Sequence, residues 1–177
     1  MCNDLFRKSE CKEFCDTRKT IVVRDSGNKQ EYRVTNDNGK EICKIKVDGC
    51  LIKEGERCDY LILSCEDKSA FFVELKGHDL KKAIAQINSS INQLMTEIKE
   101  FKIYARIVLN RNPTPDINSS VEIKLKKRLK QQNGKDSGDL IKYKSQVLEE
   151  NQIKSDPRLL QEVGDLSKYK LARNSPR

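Results

Sequence analysis

The sequence has no tryptophan, a single histidine (His78) and no C-x-x-C pair. Lone donors cannot assemble the paired spacing of a zinc ribbon, so that class is disfavoured. No apolar run approaches the length of a membrane span, and the opening Met1-Cys2-Asn3-Asp4-Leu5 lacks the basic-then-apolar character of a secretory signal. The expectation is a cytoplasmic protein without a membrane partner. Seven cysteines (2, 11, 15, 43, 50, 58 and 65) are an odd number, and without an export signal they read as reduced, buried thiols. With 36% apolar residues the chain can build only a modest core, and 177 residues suit one folded domain. Residues 1–150 are expected to form it, with 151–177 as a flexible tail.

Charge is abundant and uneven. The net charge is +8, and Phe101 to Lys135 alone carries +7, with Lys124, Lys126, Lys127, Arg128 and Lys130 close together. Ser119-x-x-Glu122 is a capping-box pattern for a helix through Gln132 that would display these side chains. Such a face is either simply solvated or an electrostatic footprint for a polyanion.

Against this background stands Glu74-Leu75-Lys76, an E-x-K tripeptide ending the apolar run Phe71-Phe72-Val73, with Asp59 fifteen residues upstream. Alternation along a strand points Glu74 and Lys76 to one face. Residues 58–64 and 70–75 are β-prone runs flanking Glu66-Asp67. If Glu66-Asp67 is the tight turn, Cys65 pairs with Lys68 and Asp59 falls opposite Glu74. A slip of one residue would part the carboxylates. Two carboxylates held together repel, and a hard divalent cation, Mg2+ or Mn2+, relieves that cost. The cation would acidify a water and offset charge on a phosphoryl oxygen, while the Lys76 ammonium orients the nucleophile or steadies the transition state.

An Asp opening one strand, an E-x-K ending the next and a helical pattern after Asp79 together resemble the PD-(D/E)XK nuclease superfamily. The resemblance covers residues 1 to 110 as an order of elements. It implies an α/β fold with a restriction-endonuclease-like core, a mixed central sheet flanked by helices. It also implies a metal-dependent nuclease acting on DNA in preference to RNA, in restriction, anti-phage defence or repair, either as a homodimer or with a partner protein in a defence complex. On the matching positions, Asp59 and Glu74 are the acidic metal ligands, Lys76 is the catalytic lysine, and the Leu75 carbonyl is a further ligand. Cys58 stands where the family has proline. Members often add a Glu from a first helix, and Glu10, placed with Phe6, Cys11 and Phe14 on one side of a helical wheel, is preferred over Glu13. Asp48 is a reserve acid should Asp59 fail. The other class of reading is a catalytically silent nucleic-acid-binding or scaffold subunit.

The remaining pattern is a hairpin of 20–24 with 30–34, a turn at Asn36-Asp37-Asn38-Gly39, and a strand over 41–47 antiparallel to the one carrying Asp59. A helix follows with Ile84, Ile87, Ile91, Leu94 and Ile98 inward, then a strand over 103–109 that the helical crossover makes parallel to a neighbour, and an outer strand over 140–148. Gln86 lies beside the helix's apolar face. It either reaches the metal or scissile phosphate or is solvated.

Overall fold

Alternation along one strand organises the molecule. A computed structural model describes residues 6, 10–24, 30–76, 78–109, 120–133, 140–143 and 147–151. In it, Ser69–Lys76 is a strand of which every residue but the last is buried. Ala70 and Phe72 join a core shared with two helices, while Phe71, Val73 and Leu75 join a second core on the other side of the sheet. A strand buried on both faces belongs in the middle of a layered fold, which explains its near-continuous apolar character.

In chain order the strands are β1 (Lys12–Asp16), β2 (Thr20–Arg24), β3 (Glu31–Thr35), β4 (Ile42–Lys46), β5 (Tyr60–Ser64) and β6 (Ser69–Lys76). The helices α1 (Leu80–Gln93) and α2 (Met95–Ile98) lead to β7 (Lys102–Leu109), and α3 (Ser120–Asn133) leads to β8 (Leu140–Tyr143) and β9 (Val147–Asn151). A six-stranded sheet runs β1-β4-β5-β6-β7-β8, and a three-stranded sheet runs β2-β3-β9. The first four strands of the large sheet pair antiparallel, and β6, β7 and β8 are parallel, with β7 and β8 each reached through a helix. The architecture is α/β with a mixed sheet. Helices α1 and α3 cover one face through Ile84, Ile87, Ile91, Leu125 and Leu129. The other face is covered by Ile21, Val23, Tyr32 and Val34 of the small sheet.

The β5–β6 hairpin has the expected register. Ser64 pairs with Ser69 and Tyr60 with Val73, and the Lys68 N–H donates to the Cys65 carbonyl (3.3 Å). Asp67 fixes the turn by accepting from Ser64 Oγ (3.0 Å) and Lys40 Nζ (2.6 Å). Helix α1 begins where Asp79 Oδ1 accepts from the Lys82 N–H (2.9 Å), a side-chain cap for an otherwise orphaned donor. Its inward positions Leu80, Ala83, Ile84, Ile87 and Ile91 follow the helical repeat.

Three expectations are corrected. The amino-terminal helix does not form among the described residues: Glu10 and Cys11 sit in a turn, and residues 12–16 are the edge strand β1, paired with β4. The outer strand over 140–148 divides, with β8 joining β7 and β9 joining β3 in the other sheet. The cysteines are not all reduced: Cys11 bonds Cys50 and Cys15 bonds Cys43, while Cys58 is free and buried. The expected tail beyond Asn151 lies outside the described residues. No helix among the described residues is long and apolar enough to cross a membrane.

Candidate functional site

Carried one residue past Tyr60–Val73, the hairpin register sets Asp59 opposite Glu74. The pairing of β4 continues to the same level, because Asp59 O accepts from the Val47 N–H at 2.9 Å. Glu74 and Lys76 share the face of Ala70 and Phe72, the side covered by α1. Leu75 points its side chain into the opposite core, and its N–H donates to Asp59 Oδ2 at 2.7 Å. Asp59 is therefore held by the backbone of the E-x-K strand itself.

Glu74 is almost wholly buried, its side chain 1% exposed. One oxygen, Oε1, lies 3.3 Å from Lys76 Nζ. The other, Oε2, has no hydrogen-bond partner. Burial, and next the negative charge of Asp59, push the Glu74 carboxyl up to about 8, although the Lys76 ammonium pulls the other way. A buried acid with one orphaned oxygen facing a second acid is the donor set a hard divalent cation satisfies, and it is costly without one.

Lys76 is fixed from the helix. Its Nζ donates to Gln86 Oε1 (2.8 Å), and Gln86 Nε2 donates to the Arg57 carbonyl (2.8 Å). Gln86 is half-buried, with both ends of its amide hydrogen-bonded within the protein. It bridges the lysine to the loop before Asp59. One turn further along α1, Ser90 Oγ donates to the Gln86 carbonyl (3.0 Å) and accepts from the Cys58 N–H (2.8 Å). The helix thus clamps the two residues that precede Asp59. Burial raises the Cys58 thiol far above its ordinary range, so it behaves as an inert apolar group.

Asp59, Glu74, Lys76 and Gln86 come together. Glu10 does not lie on an apolar helical face: it is exposed in the turn before β1, so the reason for choosing it is gone. Glu13 pairs with Lys44 Nζ at 2.8 Å. Asp48 is exposed and engaged by Arg57. On α3, Lys124, Lys126, Lys127 and Lys130 are exposed, but Lys126 pairs with Glu122 (2.9 Å). Arg128 Nη1 donates to Asn88 Oδ1 (2.7 Å), tying α3 to α1. The solvent-facing cations of the helix are thereby reduced to Lys124, Lys127 and Lys130. Ser90 and the Arg57 carbonyl were missed in the sequence, because only the packing of α1 on the hairpin brings them in.

No protein-family model, no curated protein and no solved structure matches the chain.

Proposed function

We propose that the protein is a metal-dependent nuclease with a restriction-endonuclease-like core, hydrolysing phosphodiester bonds of DNA. The observation that carries the reading is the Asp59–Glu74 carboxylate pair beside the Lys76 ammonium, with the buried Glu74 Oε2 left without a partner. The order β4-β5-β6-α1-β7, an antiparallel hairpin followed by a helical crossover to a parallel strand, supports the family reading as well.

Asp59 and Glu74 would hold Mg2+ or Mn2+, with the Leu75 carbonyl as a further donor. When bound, the cation supplies positive charge against the charge growing on a phosphoryl oxygen and makes a nearby water more acidic. Lys76, aimed by Gln86, stabilises the same developing charge or orients the attacking water. The Leu75 N–H holds the Asp59 carboxylate in place. Lys124 and Lys127 add a sequence-independent grip on the backbone.

The test is cleavage of single- and double-stranded DNA and RNA with Mg2+, Mn2+ or chelator, for the wild type and for Asp59→Ala, Glu74→Ala and Lys76→Ala. The wild type should cut DNA only with a divalent cation. Each variant should lose on the order of 10³-fold or more in rate, and a double variant little beyond that, because the groups act as a unit. Full activity in any variant removes that residue from the mechanism. A wild type that binds DNA yet cuts nothing would turn the reading to a silent binding subunit.

A further inference from the structure

At the other end of the same hairpin lies a second set of donors. Cys15 and Cys43 are directly opposed across β1 and β4. Ile42 pairs with Ser64, so the next step outward sets Glu41 against Cys65, and the Cys65 N–H donates to the Glu41 carbonyl (3.4 Å). Two cross-strand pairs, two residues apart on β4, put all four side chains on one face. Their donor atoms all lie within 4.8 Å of one another, and Cys65 Sγ is 4.0 Å from Cys43 Sγ. Cys43 is buried and the other three are half-buried.

We propose that in the reduced protein Cys15, Cys43, Cys65 and Glu41 hold one zinc ion, which fastens edge strand β1 to β4 and β5. A crosslink uses two sulfurs, whereas this patch offers a third sulfur and a carboxylate within 4.8 Å of the others, near enough for small side-chain shifts after reduction to bring all four to the roughly 3.5–4 Å donor separations of a tetrahedral shell. Three thiolates select a borderline-soft cation over magnesium. Four protein donors leave no open position, so the site is structural rather than catalytic.

In the structure these sulfurs are oxidised, with Cys15 bonded to Cys43 and Cys65 itself half of a disulfide. Crosslink and metal are thus exclusive states of the same atoms. A phosphine and one water convert each disulfide into two thiols, the phosphine leaving as its oxide. Zinc then displaces the thiol protons.

The experiment uses the full chain, reduced with a phosphine, loaded with Zn2+ and desalted, with metal measured by atomic emission. Co2+ substitution is read by its sulfur-to-cobalt charge-transfer absorption. The wild type and Cys50→Ser, which removes a sulfur outside the four donors, should each retain about one metal per chain, as expected of a closed four-donor site. Cys15→Ser and Cys65→Ser should lose it, and Glu41→Gln should weaken binding about tenfold or more. Cys65→His, which restores a zinc donor, should recover the metal, so a failure of Cys65→Ser to fold does not blunt the test. A reduced wild type without metal, zinc retained in Cys65→Ser, unchanged affinity in Glu41→Gln, or zinc lost from Cys50→Ser would each overturn the proposal.

Discussion

Strand β5 is bounded by two unlike clusters on the same face of the sheet. Asp59, at its start, meets Glu74 and Lys76, all oxygen and nitrogen chemistry. Cys65, just past its end, meets Cys15, Cys43 and Glu41, three sulfurs and one carboxylate. At the first end a buried acid is left with an orphaned oxygen, which costs stability unless a cation relieves it, as proposed. At the second end the donors are matched among themselves and can only tie strands together. On the two proposals, the difference is that of a site poised to react and a site built to hold.

Selective metal removal separates the two ends most sharply and carries the largest expected effect. A chelator that strips Mg2+ and Mn2+ but leaves thiolate-bound zinc should abolish cleavage, on the order of 10³-fold or more, and lower the melting temperature only by what the loss of that one cation from the carboxylate end costs. A strong zinc chelator, followed by restored Mg2+, should lower the melting temperature and leave the turnover of the still-folded fraction intact. If the first chelator also released the zinc, or the second still stopped turnover after Mg2+ was restored, the two ends would not be independent.

The next effect is a pH dependence confined to the carboxylate end. Glu74 holds its proton up to about 8 in the folded chain, against an ordinary value of 4.5. The folded state therefore binds a proton that the unfolded state has released, so stability of the metal-free protein falls as pH rises from about 4.5 to about 8. Below that window Glu74 is neutral in both states and contributes no slope. Glu74→Gln removes the desolvated charge. At pH 9 in chelator the variant should be more stable than wild type, by an amount on the order of a few kcal/mol at roughly 1.4 kcal/mol per pH unit, and near pH 4 the gain should vanish. Denaturant melts of the two proteins at both pH values give the answer. A gain of equal size at both pH values would mean that shape, not charge, is what the carboxylate costs.

What could be read in advance follows from how local each feature is. The β5–β6 register depends on a two-residue turn and on alternation over residues 60–75, all within one hairpin, so Asp59 and Glu74 could be paired from the sequence. The fate of Gln86 depends on how α1 settles on that hairpin and was open. The amino-terminal stretch misleads because Phe6, Glu10 and Phe14 recur every four residues, as on a helix. Pairing of residues 12–16 with β4 decides for strand, a tertiary gain that no local pattern carries. The thiol cluster is the least local feature. Cys15, Cys43 and Cys65 stand 28 and 22 residues apart with no short motif between them, and only the β1-β4-β5 order brings them together.

The smallest effect concerns which end of the sheet meets the polyanion. Helix α3 runs away from the carboxylate end. It follows β7, whose last residue, Leu109, pairs with Lys76, and near its own end Gln132 Nε2 donates to the Lys99 carbonyl (3.0 Å), close to the start of β7. That start lies beside the hairpin turn, because the Lys102 N–H donates to Lys68 O at 2.7 Å. The exposed Lys124 is therefore nearer Asp59 and Glu74 than Lys130, which lies nearly two helical turns further toward the hairpin-turn end. If DNA is gripped where it is cut, Lys124→Glu should weaken binding by roughly two- to fivefold and lower the salt slope by about one, with Lys127→Glu intermediate and Lys130→Glu weakest. Lys126→Glu, already paired with Glu122, should resemble Lys130→Glu rather than its neighbour Lys127. Equal losses at Lys124 and Lys130 in a salt titration would show that the charge of the helix acts as a diffuse field and that the carboxylate end holds no privileged position on the nucleic acid.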